Sequence, residues 1–185
     1  MSQGYQIYNQ QALYFLTFQV VNWVDIFTRV EYKDIITDSF DFCRKNKGLD
    51  LYAYASIAIG VTNHIHLIAR AKENYRLSDI IRDFKKFTAN QLLDKIKLPA
   101  ESRSDWMLKR FEFAAKRHQR NSEYQIWTHE NHAVELFTSD FIDQKLDYIH
   151  HNPVRAGIVD APENYIYSSA RNYAEEKGRI EIDFL

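Results

Sequence analysis

The sequence predicts an α+β domain, in which an antiparallel sheet has helices packed on one face and a helical C-terminal extension. Segments rich in aromatic and β-branched residues alternate with amphipathic segments, in the order strand, helix, strand, strand, helix and a helical C-terminal part. The 185 residues suffice for one domain with a hydrophobic core. We expect residues 1–185 to form this domain, with a core over about 12–151 and a C-terminal tail over 152–185.

Three segments have the composition of strands: residues 12–21, 51–60 and 61–70. Because Gly60 separates the second and third, we expect these two to form a hairpin or a bent pair. A short aromatic stretch over residues 124–127 is compatible with a further strand.

Four segments have apolar residues at helical spacing. They span residues 32–45, 77–93, 104–116 and 137–151. Ser78 is the predicted N-cap of the second helix, and Thr138 or Ser139 is that of the fourth. We expect Asn152-Pro153 to end the fourth helix, since the residue before a proline is pushed out of the helical region.

The composition is that of an ordinary globular protein. A single cysteine, Cys43, excludes an internal disulfide, and a buried thiol fits a reducing cytoplasm. We see no signal peptide and no apolar stretch near the roughly 20 residues that span a bilayer, so we expect a cytoplasmic protein without a membrane partner. Aromatic residues make up 15% of the chain and supply either an aromatic core or faces on which bases stack.

Charge is distributed unevenly along the chain. The formal net charge of −1 argues against a protein that coats nucleic acid indiscriminately. Residues 76–120, however, include twice as many basic as acidic side chains. Such an excess either faces a phosphate backbone or forms a solvated helix surface.

Two histidines lie two residues apart in the third predicted strand. Side chains at this spacing point to the same face, so His64 and His66 project together while Ile65 and Leu67 face the core. Two neighbouring imidazoles on a strand can supply two ligands to a divalent metal. On its own, the pattern more commonly reflects a polar strand face with two unrelated histidines.

The sequence around His64 and His66 strengthens the case for a metal site. Residues 63–68, NHIHLI, resemble the HUH motif of the single-tyrosine transposases, in particular the branch called REP-associated tyrosine transposases. Three further segments are similar to that branch: residues 84–89 (FKKFTA), 148–159 (YIHHNPVRAGIV) and 165–170 (YIYSSA). The similarity spans roughly residues 12–173, and the histidine pair together with the Asn-Pro-Val-Arg-Ala-Gly run is specific.

The resemblance implies a ferredoxin-like sheet with the histidine pair on a central strand. It also implies a divalent metal, Mg or Mn, held by His64 and His66, and a single-stranded or hairpin DNA substrate. The metal would polarise the scissile phosphate. A tyrosine hydroxyl would attack the phosphate, leaving a 5′-phosphotyrosine and a free 3′-hydroxyl, so that the strand can be rejoined elsewhere. Relatives work as monomers or as dimers that swap the tyrosine helix, and a homodimer stays open for this chain.

The chain departs from the family pattern at the nucleophile. The family places its tyrosine a few residues after a Trp-Gln-like pair, but here residues 127–136, WTHENHAVEL, contain no tyrosine, and Glu130 or His132 occupies the place. Two other tyrosines are candidate catalytic residues. Tyr124 precedes this segment. Tyr148 lies on the following helix and matches a tyrosine that many relatives carry in addition to the nucleophile, for which packing is the alternative role.

The same segment contains candidates for further metal ligands. His132 and Glu135 are three residues apart and would share a face of a helix, so either is a candidate third ligand, as is His129. A first-turn cluster in which acidic residues complement the helix dipole is the alternative. For His150 and His151, before the proline, we expect capping or surface roles.

Basic residues near these motifs are candidate DNA contacts. Arg82, Lys85 and Lys86 follow the histidine strand closely, and Arg155 lies in the proline turn. Phosphate contacts of this kind fix the position of a strand rather than read its bases.

The sequence thus predicts a transposase-like protein that binds single-stranded or hairpin DNA, with metal-dependent cleavage and strand transfer. A domesticated DNA-binding protein without transposition activity and a small RNA-binding module are the alternatives. A metallohydrolase that acts on small molecules is disfavoured by the basic stretch.

Overall fold

The centre of the fold is a four-stranded antiparallel sheet. The computed structural model describes residues 6–59, 62–117 and 123–185, with backbone only for residues 57–59 and 62. Within these residues the sheet has the order β2-β3-β1-β4. Its strands are β1 (Tyr14–Gln19), β2 (Leu49–Ile59), β3 (Thr62–Ala71) and β4 (Val134–Glu135). β2 and β3 pair as predicted, while Gly60 between them lies outside the described residues.

The described chain also has five α-helices. They are α1 (Val30–Asn46), α2 (Leu77–Ile96), α3 (Ser104–Lys116), α4 (Ser139–Arg155) and α5 (Ala170–Tyr173). Three short 3-10 turns accompany them: Val21–Trp23, Ile26–Thr28 and Pro162–Asn164. In the described part of the chain, no helix is both long and apolar enough to cross a membrane.

The two faces of the sheet pack against different helices. On one face, Leu16 and Phe18 of β1 and Ile65 and Leu67 of β3 join the main core with α1 and α2. This core is strongly aromatic and also buries Cys43, whose pKa burial raises to about 11. The α+β class is therefore confirmed, with α1 and α2 on this face.

On the opposite face of the sheet, a smaller core forms beneath α4. Phe15 of β1 and Ile68 of β3 pack there against Ile149 and Leu146. The helical C-terminal extension thus lies on the face that α1 and α2 leave uncovered. Strand alternation assigns His66 to this second face, together with Ile68.

α4 does not end at Asn152-Pro153, so that prediction is wrong. The helix continues through Pro153 to Arg155. Proline removes only its own amide donor, and later amides still bond, as the Ala156 N–H does to the Asn152 carbonyl at 3.1 Å. The turn comes instead at Gly157, whose φ of 70° is in the left-handed region that favours glycine.

Two of the predicted helix caps have different outcomes. Thr138 is confirmed as the N-cap of α4, because its hydroxyl accepts from the Phe141 N–H at 3.4 Å. Ser78 is not a cap, since α2 begins at Leu77, and the Ser78 N–H donates to Oε1 of Gln10 at 3.0 Å. A side chain distant in sequence thus satisfies this free amide of the first turn.

Residues 124–127 do not form the strand that their aromatic composition indicated. Trp127 makes one isolated bridge to Val20. Its ring is buried instead in the main core, where Nε1 donates to Oγ1 of Thr88 at 3.0 Å. The aromatic character of the segment therefore reflects core packing.

The C-terminal tail covers the outer edge of β2. The Ser56 N–H donates to the Tyr167 carbonyl at 3.0 Å, and the Tyr54 N–H donates to Oγ of Ser169 at 3.0 Å. An uncovered edge strand would present free backbone groups to other chains. The YIYSSA segment therefore has a structural role at the edge of the sheet.

Candidate active site

The two histidines lie side by side on β3, an interior strand of the sheet. The ring centroids of His64 and His66 are 4.3 Å apart, with an interplanar angle of 62°. The Nε2 atom of each ring is buried and has no hydrogen-bond partner among the described residues. Buried polar atoms are nearly always satisfied, so two adjacent unsatisfied nitrogens indicate a site for an external partner.

Burial keeps both imidazoles neutral near pH 7. It lowers the pKa of His64, and burial, the neighbouring His64 and the Lys145 ammonium together lower the pKa of His66 well below its ordinary value. A neutral imidazole has the free lone pair that metal coordination requires. The electrostatics of the pair thus favour the metal-binding form.

Thr17 orients the His66 ring from the neighbouring strand. Thr17 and His66 are direct cross-strand partners, and Oγ1 of Thr17 is 2.9 Å from Nδ1 of His66. When Nδ1 carries the proton and donates it to Thr17, the Nε2 lone pair is free for a metal. Partners of this kind fix the tautomer and direction of histidine ligands. The donor set therefore fits a divalent metal with two protein ligands, the other positions being left to water or substrate oxygen.

The predicted third ligands do not reach the histidine pair. Within residues 6–59, 62–117 and 123–185, no group of three His, Cys, Asp or Glu side chains could hold a metal. Glu135 pairs directly with Tyr14 in the sheet and accepts from its hydroxyl at 3.2 Å, which places the carboxylate on the α1–α2 face. The proposal of Glu135 as a ligand is therefore wrong.

His132 is not a third ligand of the pair either, because its segment is not helical. It has a φ of 39°, and its Nε2 lies 3.8 Å from Oε2 of Glu130. With His129 it lines a cavity of about 350 Å³ at the end of β1. The helical spacing assumed for His132 and Glu135 does not exist, since β4 begins at Val134.

Tyr148 is the candidate nucleophile that lies at the histidine pair. Its ring centroid is 5.1 Å from that of His66, in an edge-to-face arrangement. It also contacts Phe15 at 6.0 Å, and Phe15 stacks on His66 at 5.3 Å. The side chain is 37% exposed, so a substrate can reach it.

Tyr124 lies away from the histidine pair. It packs against the main core, on the α1–α2 side of the sheet. Its ring is 5.0 Å from Nζ of Lys97, near the end of α2. The sheet therefore separates Tyr124 from the face that holds His66.

The basic residues of α2 are not grouped at the histidine pair, because α2 packs on the other face of the sheet. Arg82 is exposed and bonds to Asp79 at 2.8 Å and to Asp83 at 3.0 Å. Lys86 is exposed. These two residues stay predicted DNA contacts, and Arg120 of the same basic stretch lies outside the described residues.

Lys85 points towards the segment after Trp127 and not freely into solvent. Its Nζ donates to the carbonyls of Thr128 at 3.0 Å and Glu130 at 3.3 Å, and lies 4.9 Å from the centroid of the Phe18 ring. Burial lowers the pKa of Lys85 to about 7. The residue fastens the segment after Trp127 to α2.

Arg155 is close to the candidate nucleophile. Its guanidinium lies 5.8 Å from the centroid of the Tyr148 ring, and one of its nitrogens is 3.3 Å from Oδ2 of Asp147. Asp147 also pairs with His151, which is partly exposed. Arg155 is therefore a cation at the rim of the site, partly neutralised by its own helix.

Three residues at the site were not found from the sequence: Phe15, Thr17 and Lys145. Nζ of Lys145 lies 4.9 Å from the Phe15 ring centroid and 5.9 Å from that of Tyr148. Phe15 and Thr17 lie on β1 and reach the histidine pair because of the register between β1 and β3, which no local sequence pattern specifies. Lys145 precedes Tyr148 by three residues and shares its helix face, which was the available signal.

His150 is buried rather than at the surface. Its Nε2 lies 2.8 Å from Oγ of Ser169, and burial lowers the pKa of His150 to about 4. This value lies below the unfolded one of about 6.5, so the neutral ring stabilises the fold above pH 6.5 and that stability is lost as the pH falls towards 4. We expect His150 to account for about 2 kcal/mol of destabilisation between pH 7 and pH 5.

Urea unfolding of the wild type and of His150→Gln at these two pH values measures this contribution. The variant should lose stability at pH 7 through poorer packing. Its further loss between pH 7 and pH 5 should be smaller than that of the wild type by about 2 kcal/mol. Equal losses in the two proteins would show that His150 does not carry the effect.

Comparisons with known proteins bear on the fold. No protein-family model matches the sequence, and no curated protein is significantly similar to it. The structure of a REP-associated tyrosine transposase bound to a REP hairpin is similar, with a TM-score of 0.62 and 17% sequence identity. The similarity covers 94% of this chain and 86% of the transposase chain. At this level of identity, it shows that the two proteins share their fold.

Proposed function

We propose that this protein binds single-stranded or hairpin DNA at the β1–β3–α4 face and cleaves it, with Tyr148 as the nucleophile. The observation that carries the proposal is the Tyr148 ring 5.1 Å from His66, beside two buried imidazole nitrogens without partners. The shared fold with a transposase that binds a REP hairpin supports the choice of DNA as the substrate.

His64 and His66 would hold a divalent metal, Mg or Mn, through their Nε2 atoms. When bound, such an ion neutralises charge that develops on the scissile phosphate. Thr17 holds the His66 ring in place, and Phe15 covers one side of it. The protein thereby supplies a preorganised pair of ligands on a rigid strand.

Tyr148 supplies the attacking oxygen. Its hydroxyl oxygen forms a bond to phosphorus, the bond from phosphorus to the 3′ oxygen breaks, and the departing 3′ oxygen takes up a proton as the phenol releases one. The Tyr148 side chain is 37% exposed, so its phenol can release its proton to solvent. The product is a 5′-phosphotyrosine, which conserves the energy of the phosphodiester bond for rejoining.

A second candidate is a DNA-binding protein that does not cleave. The contact of Tyr148 with Phe15 at 6.0 Å is also consistent with packing, and the chain has no tyrosine over residues 127–136. In this alternative, the same face binds DNA with an inactive site.

A labelling experiment tests the two candidates. The protein is incubated with a pool of fluorescent DNA hairpins that have randomised single-stranded flanks, with Mn²⁺, Mg²⁺ or EDTA. We expect a metal-dependent adduct that survives denaturing electrophoresis and maps by mass spectrometry to Tyr148. Binding of the pool in native gels without any adduct would support the DNA-binding protein, and preference for matched RNA hairpins would contradict both.

A further inference from the structure

We infer that Lys145 binds the DNA phosphate that lies between Tyr148 and the histidine pair. This inference rests on the proposed function of the site. It adds a residue that supplies a positive charge from the protein itself, on the same face of α4 as the nucleophile.

The position of the Lys145 ammonium supports this role. Nζ lies 4.9 Å from the ring centroid of Phe15, 5.3 Å from that of Phe141 and 5.9 Å from that of Tyr148. Phe15 in turn stacks on His66, so the cation stands over the rings that border the pair.

The ammonium has no anionic partner among the residues that the structure describes. The neighbouring cation Arg155 differs, because it pairs with Asp147. Contacts between an ammonium and aromatic faces are weak at partly exposed sites. A phosphate oxygen can therefore bind the Lys145 ammonium without breaking an ion pair within the protein.

The charge balance of the site calls for such a residue. Among the described residues, no Asp, Glu or Cys side chain joins the two histidines in a three-ligand group. A phosphodiester placed against Tyr148 carries a negative charge that needs compensation as the attack proceeds. Lys145 is positioned one helical turn before Tyr148 and is the side chain that meets this need.

The alternative role for Lys145 is packing. Its methylene chain covers apolar rings, as lysine side chains often do. Methionine has a similar length and is apolar, so Lys145→Met keeps this cover and removes only the charge. Lys145→Arg keeps the charge. Lys177→Met, at an exposed lysine after α5, removes one positive charge away from the site.

Two measurements on the full chain test the inference. The first is the dependence of hairpin-pool affinity on salt concentration, in EDTA, where cleavage does not interfere. Loss of one phosphate contact reduces the slope of log affinity against log salt by about one. We expect this reduction for Lys145→Met and an unchanged slope for Lys145→Arg and Lys177→Met. An unchanged slope for Lys145→Met overturns the inference, whether or not the wild type forms an adduct.

The second measurement is the rate of adduct formation with Mn²⁺ at saturating protein. We expect Lys145→Met to slow it roughly 100-fold, as expected for removal of one group that stabilises transition-state charge, and Lys145→Arg to retain most of it. A reduced slope with an unchanged rate would place the lysine at another phosphate and contradict the inference. A wild type without an adduct removes the proposed cleavage, and the salt slope then decides the phosphate contact alone.

Discussion

Replacing Tyr148 by phenylalanine is expected to reduce adduct formation with hairpin DNA by roughly 10³-fold or more, because the variant lacks the oxygen that we propose attacks phosphorus. The phenylalanine ring retains the contacts with Phe15 and His66, so the fold and the histidine pair stay intact. The rate is measured by quantifying the shifted protein band on denaturing gels, with hairpin affinity determined in EDTA as a check on binding.

The matched control is Tyr124→Phe. Tyr124 packs against the core on the opposite side of the sheet and lies beside Lys97. We expect this variant to form the adduct at the wild-type rate. An adduct that persists in Tyr148→Phe would exclude Tyr148 as the nucleophile, and its loss in Tyr124→Phe alone would require a different arrangement of the site.

Much of the fold follows from patterns that are local in sequence. The alternation of side chains in β3 predicted that Ile65 and Leu67 face the core and that both histidines share the other face, and the structure confirms the placement of Ile65, Leu67 and His66. Helical spacing predicted α3 over its observed range. These features depend on which face of an element is buried, and hydrophobic periodicity reports that directly.

Other features depend on partners that are distant in sequence. Ser78 resembles an N-cap, but Gln10 satisfies its amide. Lys85 resembles an exposed cation of an amphipathic helix, but the carbonyls of Thr128 and Glu130 draw it inward. No local pattern specifies contacts of this kind, since they form only when the helix and the later segment pack together.

In the candidate site too, local sequence patterns predicted one part, and contacts between distant segments form the rest. The histidine pair is a motif within one strand, and sequence reasoning located it. Tyr148 reaches His66 from a helix at the far end of the chain, and no pattern within residues 127–136 indicated that contact. The spacing of His132 and Glu135 suggested a helical face, but a short strand and a left-handed residue occur there instead.

The second large effect concerns the metal. A ligand that binds only the folded state stabilises it, by about 2.7 kcal/mol at a concentration one hundred times its dissociation constant. We expect Mn²⁺ to raise the unfolding free energy of the wild type in this way, since the two unsatisfied Nε2 atoms are already adjacent in the folded chain. The gain should disappear in His64→Ala and in His66→Ala, because one imidazole is a weak ligand alone.

Thr17→Val tests whether the orientation of His66, and not only its presence, determines metal affinity. This variant keeps both histidines but removes the hydroxyl 2.9 Å from Nδ1 of His66. Loss of such an outer partner weakens metal binding by about 10- to 100-fold, so Mn²⁺ titration of the variant should give an intermediate affinity. Equal stabilisation of the wild type and the two alanine variants by Mn²⁺ would show that the ion binds elsewhere. The unsatisfied nitrogens would then require another partner, and the proposed cleavage at Tyr148 would lose its electrostatic support.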